Sequence, residues 1–159
     1  MNLTKNNEHI NRSTLKIYQC NGHHDLAVHH SLLNSPEMEQ YDALMIQEPY
    51  SIFIDNSHYI STTQQWRLIT PSMPLTNEAR PPRSVIFINK RLASSFYNII
   101  PTNSLDITAI SFRLPALANP FTFINVYNPP PLFTSIAPLQ TLLATRCWRE
   151  TSLHSRPRI

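Results

Sequence analysis

Four polar side chains stand where apolar runs stop. LKIYQC (15–20) runs into Asn21 and then Gly22, DALMIQ (42–47) into Glu48 and then Pro49, and FTFINV (121–126) into Tyr127, Asn128 and three prolines. A carboxylate at the end of a strand can hold Mg²⁺, which takes one or two protein carboxylates and completes its shell with water and phosphate oxygens. An asparagine beside it can orient that carboxylate or donate to a phosphate oxygen. A tyrosine hydroxyl can donate to a phosphoryl oxygen where charge develops. Each residue also has a plainer reading. Asparagine before glycine is a turn residue, and a glutamate at a sheet edge is simply solvated. Tyr127 shares strand parity with Phe121 and Phe123, which would pack its ring in the core.

A second group is thiol and imidazole. Cys20, His23, His24, His29 and His30 fall within eleven residues, so a Cys/His zinc-binding module is an alternative. The spacing matches no common zinc pattern. His29 and His30 are better placed flanking the apolar stripe of a helix.

The elements that would position these residues follow from the apolar pattern. Residues 15–20 read as a strand. Residues 25–34 read as a helix, with Leu26 and Leu33 seven apart, Val28 and Leu32 four apart, Asp25 as N-cap and Ser35-Pro36 as the stop. Residues 42–47 read as a second strand. A strand-helix-strand crossover makes the two strands parallel, so Asn21 and Glu48 should face one edge of the sheet, where ligands of α/β sheets bind. Residues 50–82 are irregular, with short strands expected near 58–61 and 66–70. SVIFIN (84–89), LDITAISFRL (105–114) and FTFINVY (121–127) are strand-like. Leu132, Ile136, Leu139 and Leu143 predict a last amphipathic helix, with Pro138 in its first turn. Trp66, Phe53 and Tyr59, near Arg67 and Arg83, could line a DNA-facing loop, although core and rim are the commoner places for such residues.

Composition bounds the rest. The chain has 159 residues and one glycine, Gly22. Average usage of about 7% would give about eleven. One glycine excludes the glycine-rich phosphate loops of nucleotide-binding folds, so no nucleotide cofactor is expected. Fourteen prolines take over much of the turn-making. Two cysteines cannot build a disulfide framework. No apolar run approaches the roughly 20 residues that span a bilayer, and the polar start is unlike a signal peptide. The expectation is a soluble intracellular domain, cytoplasmic or nuclear, not secreted and not on a membrane. The net charge is +3, but residues 1–145 carry nine basic and nine acidic side chains, so the excess belongs to the segment after Thr145. Three regions are expected: a polar arm over 1–14, a folded domain over 15–145, and a basic, unstructured tail over 146–159.

Taken in order, the first-strand Asn, the phrase YDALMIQEPY, the segment RSVIFINK, then DITAISFRL and FTFINVYNPP resemble the endonuclease/exonuclease/phosphatase superfamily. Within it the likeness is to the endonuclease domain of non-LTR retrotransposons, over about Leu15 to Leu143. The resemblance implies a four-layered α/β sandwich of the DNase I-like kind, here its front part only, ending after the Tyr-bearing strand and following helix. It implies Mg²⁺-dependent phosphodiester hydrolysis, DNA as partner, and a larger polyprotein carrying a reverse transcriptase. By resemblance Asn21 orients the catalytic site, Glu48 binds the metal and Tyr127 contacts phosphate, with Asn128 a looser match. The family's later G-D-F-N-like and S-D-H-like segments do not occur in these 159 residues. The expectation is therefore a chain with little or no activity by itself. The alternative is a non-catalytic retroelement remnant or interaction fragment.

Overall fold

The computed structural model describes residues 14–72, 80–115, 118–128 and 138. In chain order the elements are β1 (Ile17–Asn21), α1 (Leu26–Asn34), β2 (Ala43–Gln47), β3 (Ile52–Ile54), β4 (Ser57–Tyr59), β5 (Trp66–Ile69), β6 (Ser84–Asn89), β7 (Tyr97–Ile100), β8 (Ile107–Phe112) and β9 (Phe121–Val126). β1 and β2 pair in parallel, from Ile17 beside Ala43 to Asn21 beside Gln47, as a crossover through α1 requires. The Asp25 carboxylate accepts the backbone N–H groups of Ala27 and Val28 at 2.7 and 3.0 Å, an N-cap that contributes about 1 kcal/mol. Pro36 cannot extend the helix, and Pro36–Gln40 turns into a short 3₁₀ segment capped by Ser35.

Two sheets form the body of the fold, in the orders β1-β2-β6-β5 and β7-β8-β9, and β3 and β4 pair as a separate two-stranded sheet. Alternate residues of β2 and β6 point to opposite faces. Ala43, Met45, Ile86 and Ile88 meet Tyr97, Ile110 and Phe112 of the second sheet, with Phe121 and Phe123 against them. Leu44, Ile46, Val85 and Phe87 meet Leu32 and Leu33 of α1, together with Trp66. Burial on both faces is why these two strands read as unbroken apolar runs rather than alternating ones. The described residues thus form three layers: helix, four-stranded sheet, three-stranded sheet. The amphipathic helix expected over 132–143 lies outside them except at Pro138, as do most of the arm and the whole tail. Among the described residues, no helix is long and apolar enough to cross a membrane.

α1 corrects one expectation. Leu26 and Val28 are exposed, and the buried face is His29, Leu32 and Leu33, which share a three-four spacing. His29 is accommodated there because its Nε2 lies 3.0 Å from the Ser61 carbonyl and 3.1 Å from the Ser61 hydroxyl, while its ring meets Phe87 edge-on. The segment 50–82 also holds more order than expected. β3 and β4 form a hairpin, turned by Asp55 and Asn56 at φ 48° and 60°. Two left-handed residues are what a two-residue hairpin turn requires.

Polar bonds tie the sheets together at the end where β2 and β9 finish. The amide of Asn125, fully buried, donates to the carbonyls of Ile46 and Val85 at 3.0 and 2.9 Å. Gln47 donates to the Val126 carbonyl at 2.8 Å. The Ser84 hydroxyl donates to the Asn125 carbonyl at 2.8 Å, and the Thr108 hydroxyl to the Ser84 carbonyl at 2.6 Å.

Two outcomes are expected of this packing. Asn125→Ala removes both donors from buried carbonyls and should destabilise the fold by about 2–3 kcal/mol in urea unfolding; a loss below about 0.5 kcal/mol would show that the sheets do not depend on this link. Burial pushes the His29 imidazole below its usual range, against the opposing effect of the Ser61 carbonyl. The unfolded chain then binds more protons, so this part of the stability is complete above the unfolded pKa of about 6.5 and declines as pH falls below it. Urea midpoints should drop between pH 7.5 and 5.5, and His29→Gln should flatten that slope.

Candidate functional site

Parallel pairing brings the ends of β1 and β2 to one edge, and the next residues lock the two loops together. The Gly22 N–H donates to the Gln47 carbonyl at 2.7 Å, and the His24 N–H to the Glu48 carbonyl at 2.9 Å. A Cβ on Gly22 would lie 3.0 Å from the Glu48 carbonyl oxygen and 3.3 Å from the Ile46 side chain, so the chain's single glycine stands where the loops come closest. His23, His24 and Glu48 all have left-handed backbones, at φ 51°, 55° and 47°. Such conformations cost energy and persist where the surroundings over-determine them.

The Glu48 side chain is 18% exposed, and the Tyr127 hydroxyl and the Asn21 side chain face its carboxylate as donors. The Asn21 Oδ1 already accepts the His23 N–H at 2.8 Å, which leaves its NH₂ to face the carboxylate. His23 Nδ1 lies 3.8 Å from one Glu48 oxygen, and His24 Nε2 lies 3.9 Å from the other. The Tyr127 bond holds the Glu48 carboxyl below its usual range, with help from Asn21, His24 and His23 and against partial burial. The same bond, with burial and the negative charge beside it, holds the Tyr127 phenol above its own.

Tyr127 is held in turn. The Arg83 guanidinium stacks over its ring at 4.9 Å. Both arms of that guanidinium bond the Asp106 carboxylate at 2.7 Å. The backbone closes the circle: the Tyr127 N–H donates to the Asp106 carbonyl at 2.8 Å, and the Glu48 N–H to the Arg83 carbonyl at 2.9 Å.

Asn21, Glu48 and Tyr127 are therefore brought into contact from three distant stretches of chain. Tyr127 follows the parity of Phe121 and Phe123 yet lies just past β9, so its hydroxyl reaches Glu48 beyond the apolar core. Asn128 is exposed and does not join the group. The Cys/His set is scattered: His29 is committed to Ser61, His30 is exposed, and only His23 and His24 approach Glu48. Of the aromatic set, Trp66 is core, whereas Phe53 and Tyr59 stand exposed on the β3–β4 hairpin that starts four residues after Glu48. Arg83 and Asp106 were not singled out together by sequence reasoning. The available signal is that each immediately precedes an apolar strand run, or nearly so. β6 runs antiparallel to β2, so its first residues lie beside the end of β2.

The carboxylate suits a hard divalent cation. Glu48 is held ionised, two donors leave about half of its four lone-pair positions free, and it is reachable from solvent. One carboxylate with water and phosphate oxygens is a donor set that Mg²⁺ accepts. Among the described residues no group of three or more His, Cys, Asp or Glu side chains is placed to hold a metal, so an ion here would draw most of its shell from water and substrate.

Among solved structures the chain is similar to the endonuclease domain of TRAS1, a telomere-specific non-LTR retrotransposon, with a TM-score of 0.54 and 13% identity. The alignment covers 83% of this chain and 53% of that one, so the chain spans about half the length of the domain it resembles. At this identity the likeness establishes the fold, a mixed α/β DNase I-like architecture. No family model and no curated protein matches the sequence.

If Tyr127 donates to Glu48, Glu48→Gln should lower the Tyr127 phenol pKa toward the usual value near 10. An NMR titration of labelled tyrosine, with the resonance assigned through Tyr127→Phe, reads this directly. An unchanged Tyr127 pKa in Glu48→Gln would mean that the two side chains are not bonded.

Proposed function

We propose that the Asn21–Glu48–Tyr127 group is the metal- and phosphate-holding half of a phosphodiesterase site that acts on DNA, and that the present 159 residues bind without turning over. The observation that carries this reading is the convergence of three residues, each ending an apolar run, on one ionised carboxylate at the sheet edge of a DNase I-like fold. DNA as substrate rests on analogy of fold, as does the expectation of a longer protein with a reverse transcriptase.

In this arrangement Asn21 and Tyr127 fix the direction of the Glu48 carboxylate, which is the residue placed to bind the ion. Mg²⁺ bound there would supply Lewis acidity to a phosphoryl oxygen. Arg83, paired with Asp106 and stacked over the ring, keeps Tyr127 in place. The G-D-F-N-like and S-D-H-like segments, which by resemblance serve the nucleophilic water and the scissile phosphate, do not occur in these 159 residues. Groups of that kind are each worth about 10²–10⁴-fold and do not stand in for one another.

Two measurements test the two halves of the proposal. Titrated with Mg²⁺, the full chain should show amide shifts centred on residues 21, 48 and 127, absent in Glu48→Ala; shifts centred elsewhere would remove the site. Supercoiled plasmid incubated with the chain and Mg²⁺ should stay un-nicked above background. Nicking that disappears in Glu48→Ala would show a complete enzyme and overturn the inactive reading.

A further inference from the structure

His24 is anchored twice to the segment that carries Glu48. Its backbone N–H donates to the Glu48 carbonyl at 2.9 Å, and its ring Nδ1 lies 3.2 Å from the Pro49 carbonyl. A carbonyl oxygen can only accept, so Nδ1 carries the hydrogen in that bond and the neutral imidazole keeps its lone pair on Nε2. That nitrogen lies 3.9 Å from the Glu48 Oε1. Two lone-pair atoms thus face each other across a gap too long for a direct hydrogen bond. An octahedral ion about 2.1 Å from each atom needs neighbouring ligands about 3.0 Å apart, so closing the gap by about 1 Å, within reach of a His24 side chain that is 47% exposed, brings both onto one ion. His23 differs: its Nδ1 approaches the other oxygen at 3.8 Å, its side chain is 77% exposed, and no bond fixes its ring among the described contacts. Left-handed backbones at His23, His24 and Glu48 keep the two loops in this register.

We propose that His24 is a second protein ligand to the cation at Glu48, and that the site consequently prefers Mn²⁺ over Mg²⁺. The inference rests on the reading of Glu48 as the metal ligand given above. A nitrogen donor matters because Mg²⁺ favours oxygen and gives up its waters reluctantly, whereas Mn²⁺, which also takes oxygen ligands, is a transition ion that tolerates an imidazole beside them. A carboxylate alone would discriminate weakly between the two ions. A carboxylate with an imidazole held to the same loop would not.

Mn²⁺ is the probe, because its unpaired electrons report a coordinated nitrogen. The full chain, wild type and variants, is titrated with Mn²⁺ and followed by the loss of the free-ion electron paramagnetic resonance signal. Pulsed spectra of the bound ion are then inspected for ¹⁴N coupling, and circular dichroism confirms that each variant folds. The wild type should show ¹⁴N coupling and bind Mn²⁺ at least about tenfold more tightly than Mg²⁺ in competition. His24→Ala should lose the coupling and most of that preference, with Mg²⁺ binding changed little, and His23→Ala should keep both. Bound Mn²⁺ without ¹⁴N coupling, or coupling lost with His23 instead of His24, overturns the assignment while leaving Glu48 as a ligand. Undiminished Mn²⁺ binding in folded Glu48→Gln overturns the metal site itself.

Discussion

The ion pair between Arg83 and Asp106 is the contact on which the geometry of the site depends. Asp106 leads into β8 of the second sheet and Arg83 leads into β6 of the first, so the pair joins the sheets where their site edges meet. The Asp106 side chain is 8% exposed and Arg83 32%. Taking such charges out of water offsets much of their attraction, so the pair adds less stability than its short bonds suggest. Its larger consequence is positional. Arg83 spends one face of its guanidinium on Tyr127, and its backbone receives the Glu48 N–H. Without the pair, Glu48 from one sheet and Tyr127 from the other would lack their common support.

A second constraint acts from the opposite side of Glu48. The loop after β1 crosses the end of β2 so closely that Gly22 accommodates no side chain without displacing backbone. His23, His24 and Glu48 adopt left-handed conformations that side chains resist, and the hydrogen bonds between the loops hold them there. Strain kept at one spot, with two donors aimed at one carboxylate, is the pattern expected of a binding site rather than of a loop that only connects strands. The polar links of Asn125, Gln47, Ser84 and Thr108 join the two sheets at the same end, adding directional bonds to the apolar packing between them.

The sequence made much of this legible, for a physical reason. Strands buried on both faces must be apolar throughout, so where they stop is marked by the first polar residue, and parallel pairing sends two such stops to one edge. Asn21 and Glu48 are legible that way; the close crossing at Gly22 is not, because in sequence an Asn-Gly pair reads only as a turn. The face of α1 was misjudged because histidine was counted as polar, whereas a ring with one nitrogen on a carbonyl packs as a core residue. β4 overlaps the short strand expected near 58–61, but its partner β3 escaped notice because Ile52, Phe53 and Ile54 are exposed and no alternation betrays a buried side. Arg83 and Asp106 stand 23 residues apart, a separation that no local pattern encodes.

Asn21, Glu48, Tyr127, Arg83 and Asp106 sit at the ends of β1, β2 and β9 and at the starts of β6 and β8, so the two sheets built from the described strands suffice to bring them to one edge. Tyr127 spends its hydroxyl on Glu48, Asn21 divides its amide between His23 and Glu48, and Arg83 is engaged by Asp106 and Tyr127. Members this thoroughly committed to one another hold a single geometry around the Glu48 carboxylate, and a change at any one of them is felt by the rest.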